Sequence, residues 1–333
     1  MTNILSDSAY VVESLPELWF GLVMISLGVY LLLDGFDFGL GMLFVEADET
    51  ERERMLAAFG PLWKANEVWL VLFGTVLFAG FPAVYANILS RHYLLVFAIL
   101  LALGLRGLGS KLREEHDDDQ WVRFWDACFV VGSTTAPFLL GVFVASWVLG
   151  EPSALAVAPI VVGITVVALS IVLGAAFLGI KTRGTLRERV VRRGRAAIAV
   201  YVGLFALTAV VLFVRYPELQ PVLQSIPTAA MVLATLVFAM LGVGTTSNGY
   251  YHGAFLSAAG LAAVFVLFIS TLLYPAVDPA AGLSITDAVV SPLSLNLTAV
   301  FAVVFLPIIG FYFVFLYTLF SGPASPETSY SSH

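Results

Sequence analysis

Leu32-Leu33-Asp34-Gly35-Phe36-Asp37-Phe38-Gly39-Leu40-Gly41-Met42 sets two carboxylates inside an apolar run that begins near Trp19. A run this long is sized for a bilayer rather than for a soluble core, and an ionisable side chain within it is costly enough to mark a functional position. Asp34 and Asp37 are three residues apart, so they point similarly along one helix and repel if both are charged at close range. Gly35 and Gly39, with Gly41 following, let a neighbouring helix approach the carboxylates without bulk in the way.

The rest of the chain has the same oily character. Of its 333 residues, 60% are hydrophobic and 12% charged, with a mean hydropathy of +0.95; an ordinary globular domain carries about 25% charge. Backbone polar groups in lipid must be satisfied internally, so the composition points to an all-α integral membrane protein, one transmembrane helical domain over residues 1–320, with 321–333 a small, polar, disordered tail. Cys128 is the single cysteine, which removes intrachain disulfides and cysteine-based metal sites. A net charge of −7 and a pI near 5.1 argue against a nucleic-acid partner. Met1 to Glu17 carries acids and no base, unlike the start of a cleaved signal peptide, so the first apolar run reads as a retained helix.

Charge clusters, Pro and Gly divide the chain into nine expected spans, Leu18 to Val45, Trp63 to Tyr85, Tyr93 to Ser110, Phe124 to Leu149, Ala158 to Leu178, Ala196 to Val214, Thr228 to Thr246, Gly253 to Tyr274 and Leu293 to Phe320. With nine spans, the links Glu46 to Arg54, Lys111 to Asp119 and Lys181 to Arg195 fall on one side with the C-terminus. Nearly all lysines and arginines then share that side, which the positive-inside tendency makes cytoplasmic, with the N-terminus out and the C-terminus in. The arginines near residue 190 read as a topology determinant that also meets anionic membrane lipid. Pro82, Pro137 and Pro307 are expected to bend their helices.

That topology gathers polar groups at one depth near the cytoplasm: Asp34 and Asp37 late in the first span, Asn66 and Glu67 at the start of the second, Arg106 near the inner end of the third, and Asp126 opening the fourth. Arg106 or Lys64 would favour ionised acids, and burial would favour protonated ones. Such a cluster can fasten helices together, pass protons or water from the cytoplasm, or hold another ligand. Catalytic, cofactor-binding and metal-ligating residues are not apparent. His92 and His116 sit in or beside loops, His252 starts the eighth span and His333 is terminal, so paired axial histidines for a haem are lacking. Hydrolase triads, zinc spacings, Walker loops and dinucleotide fingerprints are missing too.

Three ordered motifs carry a family resemblance. Leu33-Asp34-Gly35-Phe36-Asp37-Phe38-Gly39-Leu40-Gly41-Met42, Gly60-Pro61-Leu62-Trp63-Lys64-Ala65-Asn66-Glu67-Val68-Trp69-Leu70, and Leu77-Phe78-Ala79-Gly80-Phe81-Pro82-Ala83-Val84-Tyr85-Ala86 together resemble subunit II of the cytochrome bd-type quinol oxidases, including the related cyanide-insensitive enzymes. Leu105-Arg106-Gly107, Trp125-Asp126, Gly132-Ser133 and Leu283-Ser284-Ile285-Thr286-Asp287-Ala288 continue it.

The resemblance implies a nine-helix, non-haem subunit in a prokaryotic cell membrane. Its partner would be a subunit I that holds haems b and haem d, and a small accessory membrane subunit is a further possibility. The complex would oxidise quinol and reduce dioxygen to water. Subunit II would support assembly and contribute a polar channel toward those haems. Asp34, Asp37, Asn66, Glu67, Arg106 and Asp126 match the family pattern. Lys64 departs from it: the family commonly has Trp-Asp-Gly-Asn where this chain has Trp63-Lys64-Ala65-Asn66, and the replaced acid is one placed in the proton-conducting channel. A secondary transporter or channel using the intramembrane carboxylates is the alternative from another class.

Overall fold

The computed structural model describes residues 9–320 and 322, so the expected tail lies outside the described residues except for Gly322. In chain order the helices are α1 (Leu15–Leu43), α2 (Glu49–Phe59), α3 (Trp63–Gly80), α4 (Pro82–Arg91), α5 (Tyr93–Leu112), α6 (Asp119–Val148), α7 (Val157–Lys181), α8 (Gly184–Arg215), the short α9 (Gln220–Leu223), α10 (Ile226–Ser247) and α11 (Tyr251–Leu273). A small antiparallel pair, β1 (Ala276–Asp278) and β2 (Leu283–Ser284), then leads through α12 (Ile285–Ala288) to α13 (Pro292–Leu319). Eight of the described helices are long and apolar enough to cross a membrane, and α2 with α3, bent by 49°, makes nine if counted as one span. The all-α polytopic architecture is as expected.

Three boundaries differ from the sequence reading. The second span does not run unbroken to Tyr85: α3 ends at Gly80 and Pro82 opens α4. Proline lacks the N–H that would continue the ladder and its ring crowds the preceding turn. The carbonyl released at Gly80 accepts instead from Val290 N at 3.0 Å, which ties the connection before α13 to the break. The acidic link after α1 is largely helical, because Asp48 and Glu51 form a reciprocal capping box that starts α2. The arginine-rich link is the first turns of α8, which begins at Gly184 rather than at Ala196.

α7 forms the centre of the bundle, packed against α1, α6, α8 and α11. Its crossing with α1 depends on Gly39 and Gly174: a methyl on Gly39 would stand 1.8 Å from the Ser170 carbonyl oxygen, and one on Gly174 would stand 2.3 Å from the Gly39 carbonyl carbon. Helices without a solvent-driven hydrophobic effect between them associate through such close contact. The crossing fixes the same turns of α1 that carry the two aspartates. At the far end of the bundle, buried Asp278 accepts from Asn87 Nδ2 and Arg91 Nη1, both at 3.1 Å, and Trp147 Nε1 donates to Val277 O at 2.8 Å. The connection between α11 and α13 is thereby drawn over the helix ends.

Candidate polar site within the membrane span

Asp34 and Asp37 are fully buried on α1, and so are Asn66 on α3 and Arg106 on α5. Arg106 stands between two carboxylates: Nη1 donates to Asp34 Oδ1 at 2.5 Å and Nη2 donates to Glu67 Oε1. Its guanidinium carbon lies 4.5 Å from the centre of the Phe38 ring, so an aromatic face covers the remaining side of the charge. Asn66 Nδ2 donates to Asp37 Oδ2 at 2.8 Å. The Asn66 amide is oriented from its other side, where Tyr317 of α13 donates its hydroxyl hydrogen to Asn66 Oδ1 at 2.8 Å. Five expected residues therefore gather on α1, α3 and α5 in two adjacent sets, Asp34 with Arg106 and Glu67, and Asp37 with Asn66, brought together by the one-turn spacing of the two aspartates on α1.

The network is not saturated. Asp37 Oδ1 and Arg106 Nε are buried without a hydrogen-bond partner among the described residues, while the Tyr30 hydroxyl lies beside Asp34. Buried polar atoms of this kind are usually satisfied by a water or by another chain. Glu67 keeps 30% of its side chain exposed, while Arg106 and Asp34 expose none. One guanidinium thus joins two carboxyl groups, one fully buried and one at the edge of the chain.

Asp126 does not join the other five. Gly132 of α6 packs against the Arg106 backbone so closely that a methyl added to this glycine would stand 2.5 Å from Arg106 N, and Asp126 lies six residues before it in the sequence. At 1.5 Å per residue that is about 9 Å nearer the helix start. There Asp126 accepts from Arg52 Nη1 at 2.9 Å and Arg113 Nε at 2.6 Å, and Arg113 also pairs with Glu49. Arg189 with Glu51, and Arg193 with Glu46 at 2.7 Å, fasten α8 to the same corner. The shared depth expected for Asp126 is therefore corrected: it belongs to a set of ion pairs that anchors α2 against α5, α6 and α8. The arginines near residue 190 act partly in that anchoring.

Lys64 is exposed, with its ammonium 5.6 Å from the Trp63 ring, and it makes no ion pair with the cluster. Among the two cations considered beside the aspartates, Arg106 is the one in contact. Two tyrosines escaped the sequence reading. Tyr30 precedes Asp34 by one helical turn and is buried beside it, a spacing readable in principle from the i, i+4 relation. Tyr317 carried no such signal, because its partner lies 251 positions away. Among the described residues no group of three or more His, Cys, Asp or Glu side chains is arranged to hold a metal ion.

The profile of the cytochrome bd terminal oxidase subunit II family matches residues 15–320. The chain belongs to that family. It is 30% identical over 320 residues to cytochrome bd ubiquinol oxidase subunit 2 of Bacillus subtilis (strain 168), an alignment covering 89% of this chain and 93% of the relative. It is 27% identical over 372 aligned positions to cytochrome bd-I ubiquinol oxidase subunit 2 of Escherichia coli (strain K12), covering 95% and 96%. The fold is similar to a chain in the structure of bd oxidase from Geobacillus thermodenitrificans, with a TM-score of 0.72, 17% identity, and coverage of 92% of this chain and 98% of that one. As a cytochrome bd subunit II, the chain is a multi-pass cell-membrane protein and one component of a quinol-oxidising oxidoreductase, which implies a subunit I partner. The transporter or channel reading gains no support from these matches.

Proposed function

We propose that this subunit II, one helical unit over residues 1–320, supports assembly with a subunit I that carries haems b and haem d. In the same complex its carboxylate network supplies a polar path by which protons from the cytoplasm approach that partner. The observation that carries this reading is the incomplete pairing of a deeply buried, charged cluster. Each open buried polar atom costs about 1–3 kcal/mol unless water or another chain supplies its partner. Here Asp37 Oδ1 and Arg106 Nε have no protein partner among the described residues, and Glu67 continues the cluster to the chain surface.

The two aspartates divide the work. Asp34 is held by Arg106, whereas Asp37 is held by the neutral Asn66 amide and has no cation in direct contact. Asp37 is therefore the member best placed to exchange a proton with water, and Asp34 with Arg106 is the fixed part of the frame. Lys64, pointing away, neither plugs nor carries this route, so the family acid missing at that position is replaced by Asp37 and Glu67.

Asp37→Asn in the complete oxidase tests the reading. The substitution keeps the shape and the Asn66 contact site but removes the exchangeable proton. Oxygen consumption is expected to fall about tenfold or more, equivalent to about 1.4 kcal/mol on the barrier, with the haem absorption spectrum and the yield of complex unchanged. Wild-type turnover, or lost haem together with failed assembly, would favour a network whose role is structural alone.

The position of Glu67 also supports a site for subunit I over α3. A carboxylate within a spanning helix that opens directly onto lipid is costly, so a protein cover over the face of α3 that bears Glu67 fits the reading. Val71, one turn further along that face, is 67% exposed, and Leu94, Phe97 and Leu101 form an exposed stripe on nearby α5. A photoreactive residue at Val71 is expected to cross-link to subunit I, while one at the exposed Val210 of α8 reacts with lipid. Cross-linking from Val210 and none from Val71 would move the interface to the other side of the bundle.

A further inference from the structure

α13 is exposed along almost its whole length and meets the bundle mainly along α3. Near its end two side chains hold it from opposite directions. Tyr317 donates to Asn66 Oδ1 at 2.8 Å, and Lys181, at the last position of α7, donates through Nζ to the backbone oxygens of Phe320 and, at 3.1 Å, of Gly322. Phe320 is the C-terminal cap residue of α13. The final carbonyls of a helix lack partners within it and carry the negative end of its dipole, so a buried ammonium presenting several donors is a matched cap supplied by another helix. Lys181 is only 8% exposed, and its Nζ lies 5.8 Å from the Phe177 ring. That ring stacks on Phe36 at 4.3 Å, and Phe36 lies between Asp34 and Asp37 in sequence.

We propose that Lys181 is a positioning residue for Asp37. By capping α13 from α7, it keeps Tyr317 seated on Asn66. With Tyr317 donating to the amide oxygen, Asn66 must present its NH2 group to Asp37. An Asn66 free of Tyr317 can turn its carbonyl oxygen toward Asp37 whenever that carboxyl is protonated and donates to it, so the direction of the hydrogen bond is no longer fixed. Lys181 thus governs the hydrogen bond on Asp37 from outside the cluster. The inference rests on the reading of Asp37 as the proton-exchanging group.

The test uses the complete oxidase carrying Lys181→Met, Lys181→Arg, Tyr317→Phe, the double variant Lys181→Met/Tyr317→Phe, and Asp37→Asn. Each is measured by turnover, haem content and redox-difference infrared spectroscopy of carboxyl C=O bands. Asp37→Asn identifies the Asp37 band by removing it. Lys181→Met and Tyr317→Phe are each expected to shift that band in the same direction and to lower turnover about three- to tenfold, the size of one hydrogen bond, with haem content unchanged. The double variant is expected to lose no more than the larger single loss, because both act through one contact, and Lys181→Arg is expected to restore the band. An unshifted Asp37 band in Lys181→Met, or losses that multiply in the double variant, would overturn the role of Lys181. If the Lys181→Met complex does not accumulate, Lys181→Gln, which keeps a donor without the charge, carries the same comparison. An Asp37→Asn complex with wild-type turnover and no missing band would instead overturn the proton-path reading itself, whatever the Lys181 variants do.

Discussion

Arg106→Met is expected to remove assembled oxidase from the membrane almost completely. Arg106 is fully buried, stands over Phe38, and joins Asp34 of α1 to Glu67 of α3 from its own position on α5. Removing one partner of a buried ion pair costs about 3–5 kcal/mol, because the opposite charge stays behind uncompensated, and here two carboxylates are stranded at once. Lysine is a poor substitute, since a single ammonium lacks the planar fork that reaches two acceptors on separate helices, so Arg106→Lys should give intermediate yield. Neutralising the stranded acids as well, in Arg106→Met with Asp34→Asn and Glu67→Gln, should recover part of the yield. Native gel electrophoresis and haem absorbance of solubilised membranes measure all three. Normal accumulation of Arg106→Met would contradict the account of this pair as the fastening of three helices.

The second large effect is steric. Gly39→Ala places a methyl carbon 1.8 Å from the Ser170 carbonyl oxygen, and Gly174→Ala meets the Gly39 backbone in the same way. Overpacking a close-fitted core costs about 1–3 kcal/mol, and the obstacle here is helix backbone, which cannot swing aside like a side chain. α1 must therefore move off α7 and carry Asp34 and Asp37 with it. Both variants are expected to lower the thermal midpoint of the purified complex by several degrees and to reduce its turnover. Gly21→Ala, on the same helix with open space around it, should leave both unchanged. Equal midpoints for Gly39→Ala and Gly21→Ala would show that the crossing tolerates separation.

These two sites differ in how far the chain announced them. Membrane spans were legible because bilayer thickness imposes one length on every apolar run, and the grouping of five polar residues followed once alternate spans were placed in opposite directions. The glycines at 35, 39 and 41 could be read as permitting close approach, but the partner glycine at 174 could not be paired with Gly39 from spacing alone. Asp126 was misplaced by two turns of helix. Counting from span ends gives depth only coarsely, and the presence of α2, folded back as a helix with Arg52 facing Asp126, was hidden inside a segment that reads as a charged link. Tyr317 and Lys181 were invisible for a related reason: their roles depend on how α13 docks, and an evenly apolar helix carries little periodic signal about which side faces its neighbours. The break at Gly80 was legible in Pro82, although its use as an acceptor for Val290 was not.

The charge pattern around α2 and the start of α8 also gains a second meaning. Lysine and arginine bias sets orientation, yet Arg52, Arg113, Arg189 and Arg193 each pair with a named acid. Exposed pairs contribute little one at a time. Their effect here is geometric: they hold α2 where its C-terminal end enters α3, the helix that delivers Asn66 and Glu67 to the site.

The most direct measurement of the central claim is a structure of the assembled oxidase at a resolution that reveals ordered water. Hydrogen-bonded water is expected at Asp37 Oδ1, Asp34 Oδ2 and Arg106 Nε, continuous past Glu67 to subunit I lying over that face of α3. A dry cluster, with those three atoms closed off by protein and Glu67 facing lipid, would contradict that claim.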